Sequence, residues 1–154
     1  MTEAAELDET DREILALLQQ DSRRSFAEIA KAVSLSAPAV KRRVSRLEDL
    51  GVIRGYTLQL DHAKLGRPLD AFTELRFSGS TSVDAISAIA SGIPEVETVF
   101  TIAGDPDALV WIRVRDVAEL KEVIDRLRRS GKVTGTKTLM VLSSWSRQTG
   151  APEP

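Results

Sequence analysis

The sequence predicts an α+β protein built from two domains of different fold type. Residues 8–50 place apolar side chains at helical spacing, whereas the chain after Leu69 combines segments rich in β-branched residues with two further helical patterns. The 154 residues allow two small domains, and a hydrophobic fraction of 42% can support packed cores. We expect a helical domain, a linker, a sheet domain and a flexible tail over residues 1–60, 61–67, 68–146 and 147–154, respectively.

The first helix is expected to begin at Asp8 or Thr10, because both fit an N-terminal capping pattern and the sequence does not separate them. Its wide apolar face consists of Ile14, Leu15, Leu17 and Leu18. A second helix opens with the capping box Ser25-x-x-Glu28. Its predicted buried face consists of Phe26, Ile29, Ala30 and Val33.

A Ser-Leu-Ser turn leads into a third helix that starts near Ser36 and tolerates Pro38 in its first turn. Gly51 is the expected C-terminal stop. The predicted buried side consists of Val40, Val44 and Leu47. The following residues, 52–60, favour an extended strand, so the domain is predicted to be a winged helix-turn-helix.

The outward side of this third helix carries Arg42 and Ser45, flanked by Lys41 and Arg46, with Arg43 nearer the core boundary. Arginine can pair bidentately with guanine, and lysine or serine can hold phosphates. A solvated basic face is the alternative from charge alone, but the preceding helix and turn favour insertion into a DNA major groove. The expected DNA contacts are Ser25, Ser34, Ser36, Ala37, Pro38, Lys41, Arg42, Arg43, Ser45, Arg46 and Arg54.

Composition limits the other classes of function. The net charge of −2 excludes a uniformly basic coat, so DNA contacts must come from this local cluster. The absence of cysteine excludes disulfides, thiolate zinc sites and a cysteine nucleophile, and fits a cytoplasmic protein. No apolar run is long enough to span a membrane. The single histidine, His62, lies in the linker, and we expect no metal and no cofactor.

The second half predicts the order β-α-β-β-α-β of the ferredoxin-like fold. The predicted strands begin at Leu69, Val96, Ala108 and Val133, and the last extends to Trp145. Thr81 or Ser82 is expected to cap the first helix of this domain, and Asp116 with Glu119 is expected to open the second. The predicted inward side of the second helix consists of Val117, Leu120, Val123, Ile124 and Leu127.

One face of this sheet is expected to remain free of helices and partly apolar. Trp111, Phe100, Leu75 or Leu142 contribute to it, depending on the strand register. Such a face favours packing on a second copy of the chain, giving a two-fold dimer, although each residue alone would fit a monomer core equally well.

Taken together, these segments resemble the Lrp/AsnC feast-or-famine transcriptional regulators. The resemblance spans roughly Leu7 to Ser146 and rests on the pattern LDxxDxxIL at residues 7–15, on RxxRLExxGVIxGY at residues 43–56 and on the βαββαβ partner. It implies a winged helix that binds a double-stranded DNA operator and a ligand-sensing RAM domain. It further implies homodimers that assemble into tetramers or octamers, with a small effector, commonly an amino acid, bound between sensing domains.

The resemblance also implies an effector loop between the second and third strands, with Gly104 and Asp107 in its Gly-x-x-Asp motif. Glycine lets backbone amides approach a ligand carboxylate, and aspartate can accept from an ammonium group. A hairpin turn without a ligand fits the same residues. Three threonines of the last strand alternate onto one face and can hydrogen-bond a polar ligand. The expected effector contacts are Ile102, Ala103, Gly104, Asp105, Asp107, Ala108, Thr134, Thr136 and Thr138.

Two rival functions use the same architecture. Sirohaem decarboxylases resemble this family, but their chemistry needs imidazole and cationic groups around a large anionic tetrapyrrole, and the sensing half contains no histidine. We therefore expect no enzymatic activity. A DNA-architectural protein without an effector would keep the same DNA contacts and show weak sequence preference.

Overall fold

The computed structural model of the chain describes residues 5–79, 83–129 and 131–144, without the side chains of residues 83, 84 and 86. They form two units that divide between Gln59 and Leu60. None of the described helices is both long and apolar enough to cross a bilayer.

The N-terminal unit contains three helices, α1 (Glu9–Gln20), α2 (Phe26–Ala32) and α3 (Ala37–Asp49). Asp8, rather than Thr10, is the N-cap of α1, because its side chain accepts from the backbone N–H of Asp11 while the Asp11 side chain accepts from the backbone of Asp8. The predicted capping box at Ser25 is confirmed, and Ser36 is the N-cap of α3, which agrees with the predicted start of this helix near Ser36. The helix-turn-helix prediction is therefore confirmed in its local geometry.

The three helices enclose one apolar cluster. Its buried members are Ile14, Leu18, Ile29, Ala30, Val40 and Val44, and Leu47 is also fully buried. Phe26 was expected on the buried face of α2, but it is 37% exposed. This prediction was wrong because Phe26 occupies the first position of α2, at the end of the helix rather than over the cluster. Gly51, with φ +68°, ends α3 as predicted.

The strand predicted over residues 52–60 is absent, and that prediction was wrong. The backbone N–H groups of Val52 and Ile53 donate to the carbonyl of Leu47, which completes the end of α3. Residues 54–60 have no regular structure. A strand exists only when a neighbouring strand pairs with it, and the part of the chain that the structure describes offers none here.

The C-terminal unit is a four-stranded antiparallel sheet with two helices. Its elements are β1 (Leu69–Phe77), α4 (Val83–Ser91), β2 (Val96–Thr101), β3 (Ala108–Val114), α5 (Val117–Arg128) and β4 (Val133–Met140), with strand order β2-β3-β1-β4. This order confirms the βαββαβ prediction. β4 ends at Met140, earlier than expected, and Trp145 and the predicted caps Thr81 and Ser82 lie outside the described residues.

The core of the sheet unit lies between the strands and the helices α4 and α5. Its buried members are Ala71, Leu75, Ile93, Ala108, Val110, Ile112, Val114, Leu120, Val123 and Leu127. Leu75, which was considered for the helix-free face, belongs to this core, and Leu142 lies beyond the end of β4. Val117 was expected inside but is 58% exposed, because it is the first residue of α5, directly after the N-cap Asp116.

Candidate functional site

The outward side of α3 carries Lys41, Arg42 and Ser45, all exposed. Among the described residues, no carboxylate lies within ion-pair distance of Lys41 or Arg42. The buried residues Val40, Val44 and Leu47 hold the opposite side of the helix against α1 and α2. Two cations and a hydroxyl are thus presented together by a packed helix, which is the arrangement that groove binding needs.

Arg43 and Arg46 differ from these residues because they are bound to carboxylates, although only Arg43 is partly buried and the side chain of Arg46 is 49% exposed. The Nη1 atom of Arg43 lies 2.7 Å from Asp8 Oδ2 and 2.7 Å from Asp11 Oδ1, and the Nη1 atom of Arg46 lies 3.0 Å from Asp11 Oδ2. These hydrogen bonds to carboxylates raise the pKa of Arg43 above its ordinary value. Both residues were expected to contact DNA. In this structure they are instead bound to carboxylates at the N-terminus of α1. These partners lie more than 30 residues earlier in the chain, so the pattern of α3 alone does not reveal them.

The other expected DNA residues have local roles as well. The Ser25 hydroxyl donates to Glu28 Oε2, and this bond holds the pKa of the Glu28 carboxyl below its usual value. Ser36 caps α3, and Ser34 adopts a positive φ of 54° in the turn between α2 and α3. Pro38 and Arg54 are exposed, whereas Ala37 packs against the apolar cluster. The turn and the caps therefore fix where α2 ends and α3 begins.

Tyr56 was not among the expected functional residues. Its hydroxyl donates to Glu48 Oε1 at 3.0 Å, and burial together with this carboxylate raises the pKa of the Tyr56 hydroxyl. The contact holds the irregular segment after α3 next to the helix that it follows.

The expected effector loop connects β2 and β3. Gly104 has φ +139°, a conformation that favours glycine, and the Asp105–Pro106 peptide is cis. The backbone N–H of Ile102 donates to the carbonyl of Asp107 at 3.0 Å, which closes the loop. Residues 102–105 and Asp107 are exposed, but the side chain of Ala108 is fully buried in the core and cannot contact a ligand. The prediction that Ala108 contacts an effector through its side chain was therefore wrong.

Both carboxylates of the loop have partners at the end of β1. Asp107 Oδ2 accepts from the backbone N–H of Phe77 at 2.8 Å, and Asp105 Oδ1 lies 2.6 Å from Arg76 Nε. The latter contact raises the pKa of Arg76. The second oxygen of Asp107, Oδ1, accepts no hydrogen bond from the described residues. Asp107 thus stabilises the turn and retains an acceptor that is not used by its neighbours.

The three threonines of β4 have hydrogen-bond partners in different parts of the sheet unit. The hydroxyl of Thr134 donates to the carbonyl of Arg76 at 3.1 Å, Thr136 accepts from the guanidinium of Arg128, and the hydroxyl of Thr138 bonds to buried Thr73 at 3.1 Å. Of these threonines, Thr134 therefore bonds to the end of β1, where the loop carboxylates also have their partners, whereas Thr138 bonds to the middle of β1 and Thr136 to α5. Arg76 and Arg128 were missed by the sequence reasoning, because neither belongs to a motif.

The face of the sheet opposite to the helices, which we call the open face, carries an aromatic pair. Phe72 and Trp111 are cross-strand neighbours whose rings stack with centroids 6.3 Å apart. The Arg113 guanidinium lies 4.8 Å from the Trp111 ring centroid and 2.9 Å from Asp70 Oδ1, which also accepts from the Trp111 indole N–H. The apolar members of the open face are Phe72, Phe100, Leu109, Trp111 and Leu139. Trp111 and Phe100 lie where the sequence predicted.

The described residues contain no group of three or more potential metal ligands. The polar groups on the outward side of α3 and around the loop between β2 and β3 are cations, hydroxyls, backbone amides and isolated carboxylates. Such groups bind phosphates, base edges or small polar molecules.

Comparison with known proteins agrees with this arrangement. Residues 7–48 match the AsnC-type helix-turn-helix domain, and residues 70–151 match the Lrp/AsnC ligand binding domain. The chain is 40% identical over 138 residues to the HTH-type transcriptional regulator Rv2324 of Mycobacterium tuberculosis, covering 90% of this chain and 93% of that relative.

Two solved structures are similar over nearly the full length. One is an AsnC family transcriptional regulator from Agrobacterium tumefaciens, with a TM-score of 0.84, 30% identity and coverage of 95% of this chain and 97% of that chain. The other is the transcriptional regulator NMB0573 from Neisseria meningitidis in complex with L-Met, with a TM-score of 0.86, 28% identity and coverage of 96% and 97%. These proteins are transcriptional regulators and not enzymes. The chain belongs to the Lrp/AsnC family of transcriptional regulators, with a DNA-binding helix-turn-helix domain and a ligand-binding domain.

Proposed function

We propose that this chain is a sequence-specific regulator of transcription that reads DNA with the outward side of α3. The observation that carries the proposal is the contrast among the cations of this helix. Lys41 and Arg42 are exposed beside Ser45 and have no carboxylate partner among the described residues, whereas Arg43 and Arg46 are bound to α1. Arg42 is assigned to a base edge, and Lys41 and Ser45 to phosphates. Arg54, Pro38 and the α3 N-terminus are assigned to the flanking backbone.

The active species in this proposal is a homodimer joined through the open face. Phe72, Trp111 and Leu139 form an apolar stripe that no helix of the described residues covers, and charged pairs such as Glu74 with Lys137 lie beside it. A second copy placed by a two-fold axis would bury this stripe and present two α3 helices. Half-sites would then lie about one DNA turn, ~10 bp, apart. Tetramers or octamers would follow by further pairing of dimers.

The effector in this proposal is a small zwitterion of the amino-acid class. The end of β1 brings together Asp107, a carboxylate with an unused oxygen, the exposed loop residues 103–105 and the guanidinium of Arg76, which pairs with Asp105. Opposite charges at a short separation suit a molecule that carries both an ammonium and a carboxylate. The L-Met complex of the Neisseria regulator supports this class by similarity, without naming the amino acid for this chain.

The DNA-reading proposal is tested by selecting bound duplexes from a random pool with the full chain and then titrating the selected duplex against a scrambled duplex of equal composition. We expect a recurrent pseudo-palindromic motif and a specificity ratio of at least ~10³. A pool that shows no enrichment, with equal affinity for both duplexes, would instead indicate an architectural DNA-binding protein.

The effector proposal is tested by light scattering of the chain with each of the common amino acids. We expect one or a few of them to change the assembly size. Asp107→Asn keeps an oxygen for the Phe77 N–H but removes the negative charge, so it should abolish this response. Glu122→Gln, on the exposed side of α5, makes the same charge change away from the loop and should retain it. An Asp107→Asn variant that responds like the wild-type chain would refute the role of the aspartate.

A further inference from the structure

Asp11 is a buried carboxylate in the middle of a network that joins α1 to α3. It is 1% exposed. Its Oδ1 accepts from Arg43 at 2.7 Å, and its Oδ2 accepts from Arg46 at 3.0 Å and from the backbone N–H of Asp8 at 3.3 Å. Both oxygens are therefore satisfied, which a buried carboxylate requires.

The arginines are bound at further points of the α1 N-terminus. Arg43 also reaches Asp8 Oδ2 at 2.7 Å, and Arg46 Nη2 donates to the carbonyl of Glu6 at 3.0 Å. Asp8 is itself held by the backbone N–H of Asp11, and this bond together with Arg43 lowers the pKa of the Asp8 carboxyl. Two guanidiniums one turn apart on α3 are thus fixed to a single, locally rigid capping box.

This network supplies what apolar packing alone does not. Burial of Val40, Val44 and Leu47 is non-directional and tolerates small rotations of α3 about its axis. Charge-assisted hydrogen bonds are directional and hold the side chains of Arg43 and Arg46 against α1. Rotation of α3 would break them and leave Asp11 as a buried unpaired charge. The rotational setting of α3 decides which side chains face outward, and hence whether Arg42 and Ser45 meet the DNA.

The same network reduces the charge that α3 offers to DNA. The helix carries four cations, Lys41, Arg42, Arg43 and Arg46, and two of them are neutralised by carboxylates of α1. A cation that is already paired releases no counterion from a phosphate, so it should not contribute to the salt dependence of binding.

We propose that Asp11 is a positioning residue for DNA recognition, which fixes the rotational setting of α3 and withholds Arg43 and Arg46 from the DNA backbone. The proposal rests on α3 being the DNA-reading helix. It assigns sequence preference to a carboxylate that does not touch DNA.

The test compares Asp11→Asn with Glu13→Gln. Both variants remove one negative charge from α1, but Glu13 is exposed and forms no ion pair with Arg43 or Arg46, so Glu13→Gln controls for net charge. Each variant and the wild-type chain are titrated at several salt concentrations with the selected and scrambled duplexes. Thermal unfolding by circular dichroism confirms that the proteins are folded at the assay temperature.

For Asp11→Asn we expect at least a tenfold fall in the ratio of selected to scrambled affinity. We also expect the slope of log K against log salt on the scrambled duplex to become steeper by about one to two units, since each freed arginine that reaches a phosphate adds ~0.9. A carboxylate that only stabilises α1 would weaken binding to both duplexes alike and leave the slope unchanged. A ratio and slope equal to those of Glu13→Gln would overturn the proposal.

Arg46→Gln keeps the proposal testable if Asp11→Asn does not fold, because Arg43 still pairs with Asp11 in that variant. The proposal expects its salt slope to equal that of the wild-type chain, whereas a slope lower by about one unit would place Arg46 on a phosphate and overturn the proposal. Failure of the DNA-reading function itself gives a different result, since the wild-type chain would then show no preference for the selected duplex.

Discussion

Replacing Arg42 with alanine should remove sequence preference more than it removes DNA binding. The Arg42 side chain is exposed, and no carboxylate of the described residues pairs with it, so its loss should change the free energy of unfolding by no more than ~0.5 kcal/mol. A lost bidentate contact with guanine should raise the free energy of binding to the selected duplex by ~1–3 kcal/mol. This corresponds to a Kd about 5- to 150-fold higher.

The assay is a fluorescence anisotropy titration of both duplexes at constant salt, with the free energy of unfolding measured in parallel in urea. Arg12→Ala is a matched control, because Arg12 is an exposed arginine of α1 without an ion pair among the described residues. It should leave the selected-to-scrambled ratio unchanged. An equal loss on the two duplexes by Arg42→Ala would refute base reading by Arg42 and leave it as a phosphate contact.

Three further predictions concern folding and assembly. Leu47→Ala should lower the free energy of unfolding of the N-terminal unit by ~2–5 kcal/mol, since Leu47 is fully buried. Leu50→Ala, at a half-exposed position, should change this free energy far less. Similar losses for the two variants in urea titrations would contradict the packing of α3. Trp111→Ala should shift the chain from dimer to monomer in sedimentation, and a dimer of unchanged stability would exclude the open face as the interface. The pKa of Asp8 is lowered, so its contacts stabilise the fold above the ordinary value of 3.8, and this stabilisation is lost as the pH falls below that value. The melting temperature should therefore drop more steeply below about pH 4 in the wild-type chain than in Asp8→Asn.

Local patterns predicted most of the elements correctly. The capping box of Ser25 and Glu28, the start of α3 near Ser36 and the stop at Gly51 each depend on residues within one helical turn, and all are found as predicted. The sequence did not decide whether the first helix begins at Asp8 or at Thr10. In the structure Asp8 forms the capping box with Asp11, and its carboxylate is also bound by Arg43, 35 residues further along the chain.

The remaining differences depend on contacts that no local pattern contains. Arg43 and Arg46 look like DNA contacts in the sequence, since their partner Asp11 is remote along the chain. The face on which Trp111 and Leu75 lie depends on register, because a shift of one residue reverses every side chain of a strand. The strand predicted after Gly51 lacks a pairing partner in the described chain, and β-propensity alone does not form a strand.

The central claim is that two copies of α3 read DNA from one side, and hydroxyl-radical footprinting of the selected duplex tests it most directly. We expect two protected segments about one helical turn, ~10 bp, apart on the same face of the DNA, which both weaken in Arg42→Ala. A single protected segment, or continuous protection that is also present on the scrambled duplex, would contradict the claim.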